Sequence, residues 1–291
     1  MLILHDPHAA DYAVPGHPER PQRVRVTAHH LQVTHPAWTW RVPGPASDDL
    51  LLLAHTPEHL RRLEEPEDFD GDTAWVPGIA GFARRSAGAA VDAARWALQE
   101  KSPVFSLMRP PGHHATSDAA MGFCYLNQVA IAALAARQDP RAKRVAVWDF
   151  DAHHGNGTEA ILRGREGLLY CSVHQYPGYP GTGAVSTSNC RNWPVPPGAA
   201  RGLYQEALWA SWETILAFRP DLVLVSAGFD AYKGDPLTDM TLETEDFAEM
   251  GRWLRRGGIP AAAILEGGYS ADLPALIEAF LAAWAGTPDR E

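Results

Sequence analysis

The chain is 291 residues long with 46% hydrophobic content, enough to bury a large core in one domain spanning 1–291. A formal net charge of −10 argues against a general nucleic-acid binder, which needs a basic stripe, and is compatible with a cationic substrate. No run approaches about 18 uninterrupted apolar residues, and the N-terminus lacks a basic segment followed by an apolar leader, so a cytoplasmic protein with no membrane partner is expected.

In chain order, residues 2–5 form a short strand candidate. An Ala-rich stretch at 78–100, with apolar residues at helical intervals, predicts a helix. Strand 104–107 follows, then a second helix over 119–137 and strands at 145–148 and 168–173. Pro- and Gly-rich stretches at 175–183 and 193–198 predict rigid irregular loops. The remainder reads as helix 203–218, strand 222–226, helix 243–256 and strand 261–265. A last helix runs through Trp284, with Asp272 as its N-cap and Pro274 tolerated in its first turn. The strands are too short and too continuously apolar for surface helices, and alternate with helices. This predicts an α/β fold whose central, mostly parallel sheet is covered by helices on both faces. Cys124, Cys171 and Cys190 share no close spacing and read as reduced thiols. The sequence leaves the oligomeric state open.

Polar residues recur just beyond four of these strands: His113 and His114, Asp151 and His153, Asp230, and Tyr269. Open α/β sheets bind ligands outside the carboxyl ends of their strands, so these groups are expected to converge. Asp151 and His153, two apart, can face one ion, and Asp230 supplies a third donor from a neighbouring strand end. Two carboxylates and an imidazole suit a catalytic zinc, and also iron, cobalt or manganese. Alone, Asp-x-His is short and common, and more often marks a hydrogen-bonded pair capping a helix. The pair His113-His114 follows a stiff Pro-Pro-Gly and can supply the base and acid that move protons around an attacking water. Tyr269, after Gly267-Gly268, can donate to a developing oxyanion, although a lone tyrosine is more commonly a packing residue.

Together these motifs resemble the zinc-dependent histone deacetylase superfamily, which also holds bacterial acetylpolyamine amidohydrolases and acetoin-utilisation proteins. The likeness runs from His17-Pro18-Glu19-Arg20-Pro21 through 109–115, Gly122-Phe123-Cys124-Tyr125-Leu126-Asn127, 149–158, Pro180-Gly181-Thr182-Gly183 and 226–231 to Gly267-Gly268-Tyr269. It implies the three-layer arginase/deacetylase fold, one catalytic Zn2+ on Asp151, His153 and Asp230, a tandem catalytic pair at His113 and His114, and Tyr269 as the carbonyl-polarising residue. Asp149 would be the buried partner of His113, and Asn156 the partner of His114, where other members carry an aspartate. A neutral partner should leave His114 less readily protonated.

The resemblance further implies structural K+ near Asp149, on the backbone carbonyls of Asp151, His153 and Val173 and the Ser172 hydroxyl. Gly122, Phe123 and Tyr179 would line a tunnel for an acyl-lysine stem, Asp72 would sit at the rim, and Arg23 would line an acetate exit. Polyamine-selective relatives place a glutamate at the rim where this chain has Leu237, which favours an acetylated lysine peptide or protein over an acetylated polyamine. Two other readings stand beside this one. A two-manganese ureohydrolase needs a further aspartate where this chain has Gly155, and a noncatalytic acyl-lysine binding module does not need the proton-transfer set.

Overall fold

A computed structural model describes residues 1–286; residues 287–291, included in the single-domain expectation, lie outside the described residues. Among the described residues the eight strands are β1 (Leu2–Leu4), β2 (Thr39–Arg41), β3 (Val104–Ser106), β4 (Val145–Asp149), β5 (Leu168–Gln175), β6 (Cys190–Val195), β7 (Leu222–Ala227) and β8 (Ala261–Leu265). They form one sheet in the order β2-β1-β3-β8-β7-β4-β5-β6. Every pairing is parallel, so the expected mostly parallel sheet is wholly so. Its central strands are buried along their whole length, which explains why they read as unbroken apolar runs.

The helices are α1 (Gln22–Thr34), α2 (Asp48–Leu51), α3 (Pro57–Arg62), α4 (Ile79–Glu100), α5 (Gln128–Ala136), α6 (Asn156–Leu162), α7 (Arg201–Phe218), α8 (Thr244–Gly257) and α9 (Leu273–Ala285). Helices α4 and α5 cover one face of the sheet, and α7 covers the other, with α8, α9 and α1 packed beyond it. Alanines dominate the buried side of α4, letting the helix lie close to the sheet. On the opposite face, Trp148 packs against Trp212 of α7 and donates from Nε1 to Ser211 Oγ at 2.9 Å. Phe150, Phe229, Phe247 and Phe280 continue that aromatic layer. The ends of α8 follow from its sequence: Glu243 and Asp246 form a reciprocal capping box, and Gly258 closes the helix in the left-handed conformation.

Several features differ from the sequence reading, which also expects none of the short helices α2, α3 and α6. The helix expected over 119–137 begins only at Gln128, because Gly122 (φ 56°) and Phe123 (φ 68°) are consecutive left-handed residues that no α-helix accommodates. Asn127 then caps α5, accepting from the Ala130 N–H at 3.0 Å. The loop expected at 193–198 begins inside β6; Pro194 misled, and it is tolerated because β6 is an edge strand. Edge strand β2, half exposed, and helix α1 carried too little apolar signal to be noticed. Asp272 does sit at the N-cap of α9 but makes no capping bond; its carboxylate accepts from the Tyr232 hydroxyl at 3.1 Å. All three cysteines are free and buried, and among the described residues no helix is long and apolar enough to cross a membrane.

Candidate active site

Strands β3, β8, β7 and β4 are consecutive neighbours in the sheet. The segments leaving their carboxyl ends carry His113-His114, Tyr269, Asp230 and Asp151-His153 respectively. Sheet order therefore gathers side chains that are up to 156 residues apart in sequence, from 113 to 269. The Asp-x-His pair lies just past the end of β4 rather than within it, yet its side chains still converge.

Donor atoms of Asp151, His153 and Asp230 all lie within 4.8 Å of one another. His153 Nδ1 is 3.2 Å from Asp151 Oδ1 and 2.9 Å from Asp230 Oδ2. The other carboxylate oxygens are held by main chain: Asp151 Oδ2 accepts from Gly267 N–H at 2.7 Å, and Asp230 Oδ1 from Ala152 N–H at 2.8 Å. One oxygen of each is thus aimed at the imidazole. Both carboxylates are fully buried. Burial and then the facing Asp151 charge push Asp230 up to about 7. For Asp151 burial opposes ionisation, but the His113 and His153 rings pull it well below the carboxylate range. Two buried carboxylates facing one imidazole form a donor set that a divalent cation satisfies. The residues present therefore fit a zinc ion.

Glycines wrap this centre because nothing larger fits. A Cβ at Gly155 would lie 2.3 Å from Asp149 Oδ2, 2.5 Å from the Tyr170 hydroxyl and 3.1 Å from His113 Nδ1. The position where a second metal would require an aspartate has no room for any side chain.

His113 Nδ1 donates to Asp149 Oδ2 at 3.2 Å, and the Tyr170 hydroxyl donates to the same oxygen at 2.9 Å. Burial alone would depress His113, but Asp151 and Asp149 outweigh it and raise the ring to about 10. A dication on Asp151 would offset one of those two charges. His114 Nδ1 donates to Asn156 Oδ1 at 2.8 Å, which leaves Nε2 with a free lone pair. Burial, then the charges of His113 and His153, hold His114 well below the ordinary histidine value. The two adjacent rings are thus biased in opposite directions.

Above them opens a cleft of about 190 Å³ lined by Asp72, Pro111, His113, His114, Gly122, Phe123, Cys124, His153, Tyr179, Leu237, Gly267 and Tyr269. Every residue expected at the tunnel or rim is there. Tyr179 stands edge-on to His114 with centroids 5.0 Å apart, and Phe123 edge-on to Tyr269 at 5.8 Å. Leu237 and Tyr179 are half exposed at the mouth, with Asp72 beside them. Arg23 does not line the cleft. Its guanidinium donates to Gly268 O at 2.7 Å, to Glu266 O and to Glu19 Oε1, and lies 4.7 Å over the Tyr269 ring.

Sequence reasoning gave no role to Glu266 or Glu19, which help build this site. Fully buried Glu266 accepts from Gly112 N–H at 2.6 Å and His113 N–H at 3.2 Å, fixing the tandem-histidine loop to the end of β8. Buried Glu19 pairs with Arg109 through two of its guanidinium nitrogens. Ser172, expected near a potassium ion, pairs with Asp149 across β4 and β5 and has its hydroxyl 2.8 Å from His174 Nδ1.

Fold and donor set together define an α/β protein with a metal-type centre at the carboxyl edge of a parallel sheet. Residues 17–285 match the family model for the histone deacetylase domain, so this chain belongs to the histone deacetylase family. It is 37% identical to a probable deacetylase of Methanothermobacter thermautotrophicus over 92% of this chain and 86% of that one. The crystal structure of the HDA15 HD domain superposes with a TM-score of 0.91 at 32% identity, covering 99% of this chain and 91% of that chain. That of an acetylpolyamine aminohydrolase from Burkholderia pseudomallei gives 0.87 at 27% identity over 98% of each chain.

Proposed function

We propose that this protein is a zinc-dependent amidohydrolase that removes acetyl groups from Nε-acyl-lysine side chains and releases acetate. One observation carries the reading: Asp151, His153 and Asp230 converge, and His153 of that set lines one cleft with His113, His114 and Tyr269. Asp151, His153 and Asp230 would hold the ion, which when bound acidifies water and polarises a carbonyl. His114, kept neutral and presenting its Nε2 lone pair, accepts a proton from the attacking water. His113, its Nδ1 bonded to Asp149 and its ring lining the cleft beside His114, is placed to pass a proton to the leaving amine. Tyr269 donates its hydroxyl to the carbonyl oxygen as negative charge develops there. Phe123 and Tyr179 flank the substrate stem and exclude water from its methylenes. A structural potassium ion near Asp149 and Ser172 completes the reading, in a protein taken as one cytoplasmic domain.

Leu237 at the mouth supports acyl-lysine over acetylpolyamine, since it offers no charge to a distal ammonium. The competing acetylpolyamine reading draws support from Asp72 at the same rim and from the aminohydrolase fold match. Turnover by zinc-loaded protein on matched acetyl-lysine peptides, longer-acyl peptides and acetylated polyamines decides between them. Peptides should lead in kcat/KM; a wide polyamine advantage overturns the Leu237 argument. Tyr269→Phe should cut kcat by about 10² to 10³, with His114→Ala as a second control. Tight acyl-lysine binding without turnover would mark a binding module instead.

A further inference from the structure

Asp235 is buried at 7% exposure, yet no part of the chemistry above uses it. Its two oxygens are both committed: Oδ2 accepts from the Tyr269 N–H at 2.7 Å, and Oδ1 from the Leu237 N–H at 3.0 Å. The Asp235 N–H is itself fixed to Tyr232 O at 2.9 Å. Burying a carboxylate is costly, and an apolar turn could close this loop without that cost. What the carboxylate supplies is a bond across 34 residues to the main chain of Tyr269. Tyr269 needs one, because Gly267 and Gly268 precede it and Gly268 sits at φ 115°, where the backbone is otherwise least restrained.

We propose that Asp235 is a positioning residue that pins Tyr269 in register with the cleft and ties it to the rim loop carrying Leu237. The inference rests on the amidohydrolase reading. An Asn at 235 keeps the shape but offers one acceptor oxygen and an NH2, so one of the two N–H groups loses its partner. With zinc-loaded protein, Asp235→Asn should lower kcat on an acetyl-lysine peptide by about 10- to 100-fold, the scale of a misplaced catalytic group. KM should move by less than about threefold, since the stem contacts remain. In a Tyr269→Phe background the same substitution should change kcat by less than about twofold, because the group it positions is gone.

Amide hydrogen exchange supplies a readout that needs no turnover: segments 236–238 and 267–270 should lose protection together while β8 keeps its own. Full effects that multiply in the double variant, or lost protection confined to 236–238, overturn the positioning role. A Tyr269→Phe single variant with undiminished kcat overturns the tyrosine assignment itself, and this inference with it.

Discussion

At the residue scale, the tandem histidines differ through their surroundings rather than their chemistry. Against its burial, Asp151 and Asp149 raise His113, whereas burial and the charges of His113 and His153 lower His114, with the Asn156 amide bond acting in the other direction. Asn156→Asp adds a negative charge beside Nδ1 of His114 and favours its protonated form. The base must be neutral to act, so the acidic limb of the pH–rate profile should move to higher pH, and an unmoved limb counts against His114 as the base. Gly155 shows how tightly this pair is packed. Gly155→Ala should cost about 2 kcal/mol through overpacking and reduce turnover as well, measurable as a lower melting temperature and a smaller kcat in the same preparation.

At the element scale, much of the architecture was legible because buried parallel strands leave unmistakable apolar runs, and His113, Asp151, Asp230 and Tyr269 each follow one. The segment 119–127 was not legible, since its composition suits a helix and only the left-handed pair Gly122-Phe123 prevents one. Asp235 and Glu266 escaped for another reason: their partners lie 34 and 154 residues away, and no local pattern encodes such a bond. Helix α6 and strand β6 are joined in a similar way. Glu159 receives His154 at 2.8 Å, Asn192 at 2.8 Å, Arg163 at 2.6 Å and Thr187 at 3.2 Å. Burial opposes its ionisation, but those hydrogen bonds prevail and lower it to about 2 from an unfolded value of 4.5. The stabilisation is therefore complete above pH 4.5 and fades as pH falls toward about 2. Glu159→Gln should cost about 2 kcal/mol at neutral pH, and its deficit in denaturant melts should shrink on acidification; a pH-independent deficit would contradict the linkage.

At the scale of the whole molecule, the donor set and the charge balance make separate predictions. A dication that binds only the folded arrangement of Asp151, His153 and Asp230 must raise the melting temperature, so chelation should lower it and zinc should restore it. The net charge of −10, with Asp72 at the mouth, should draw cationic substrates inward. Added salt should then depress kcat/KM for an acetylated polyamine and leave an uncharged acetyl-lysine peptide nearly unaffected. The strand order carries one more consequence. Strands β7 and β8 are the last two made, yet they slot between β3 and β4, which emerge from the ribosome earlier. A nascent chain halted before residue 222 has a gap where its middle should be, so premature termination yields an inert fragment rather than a half-active one.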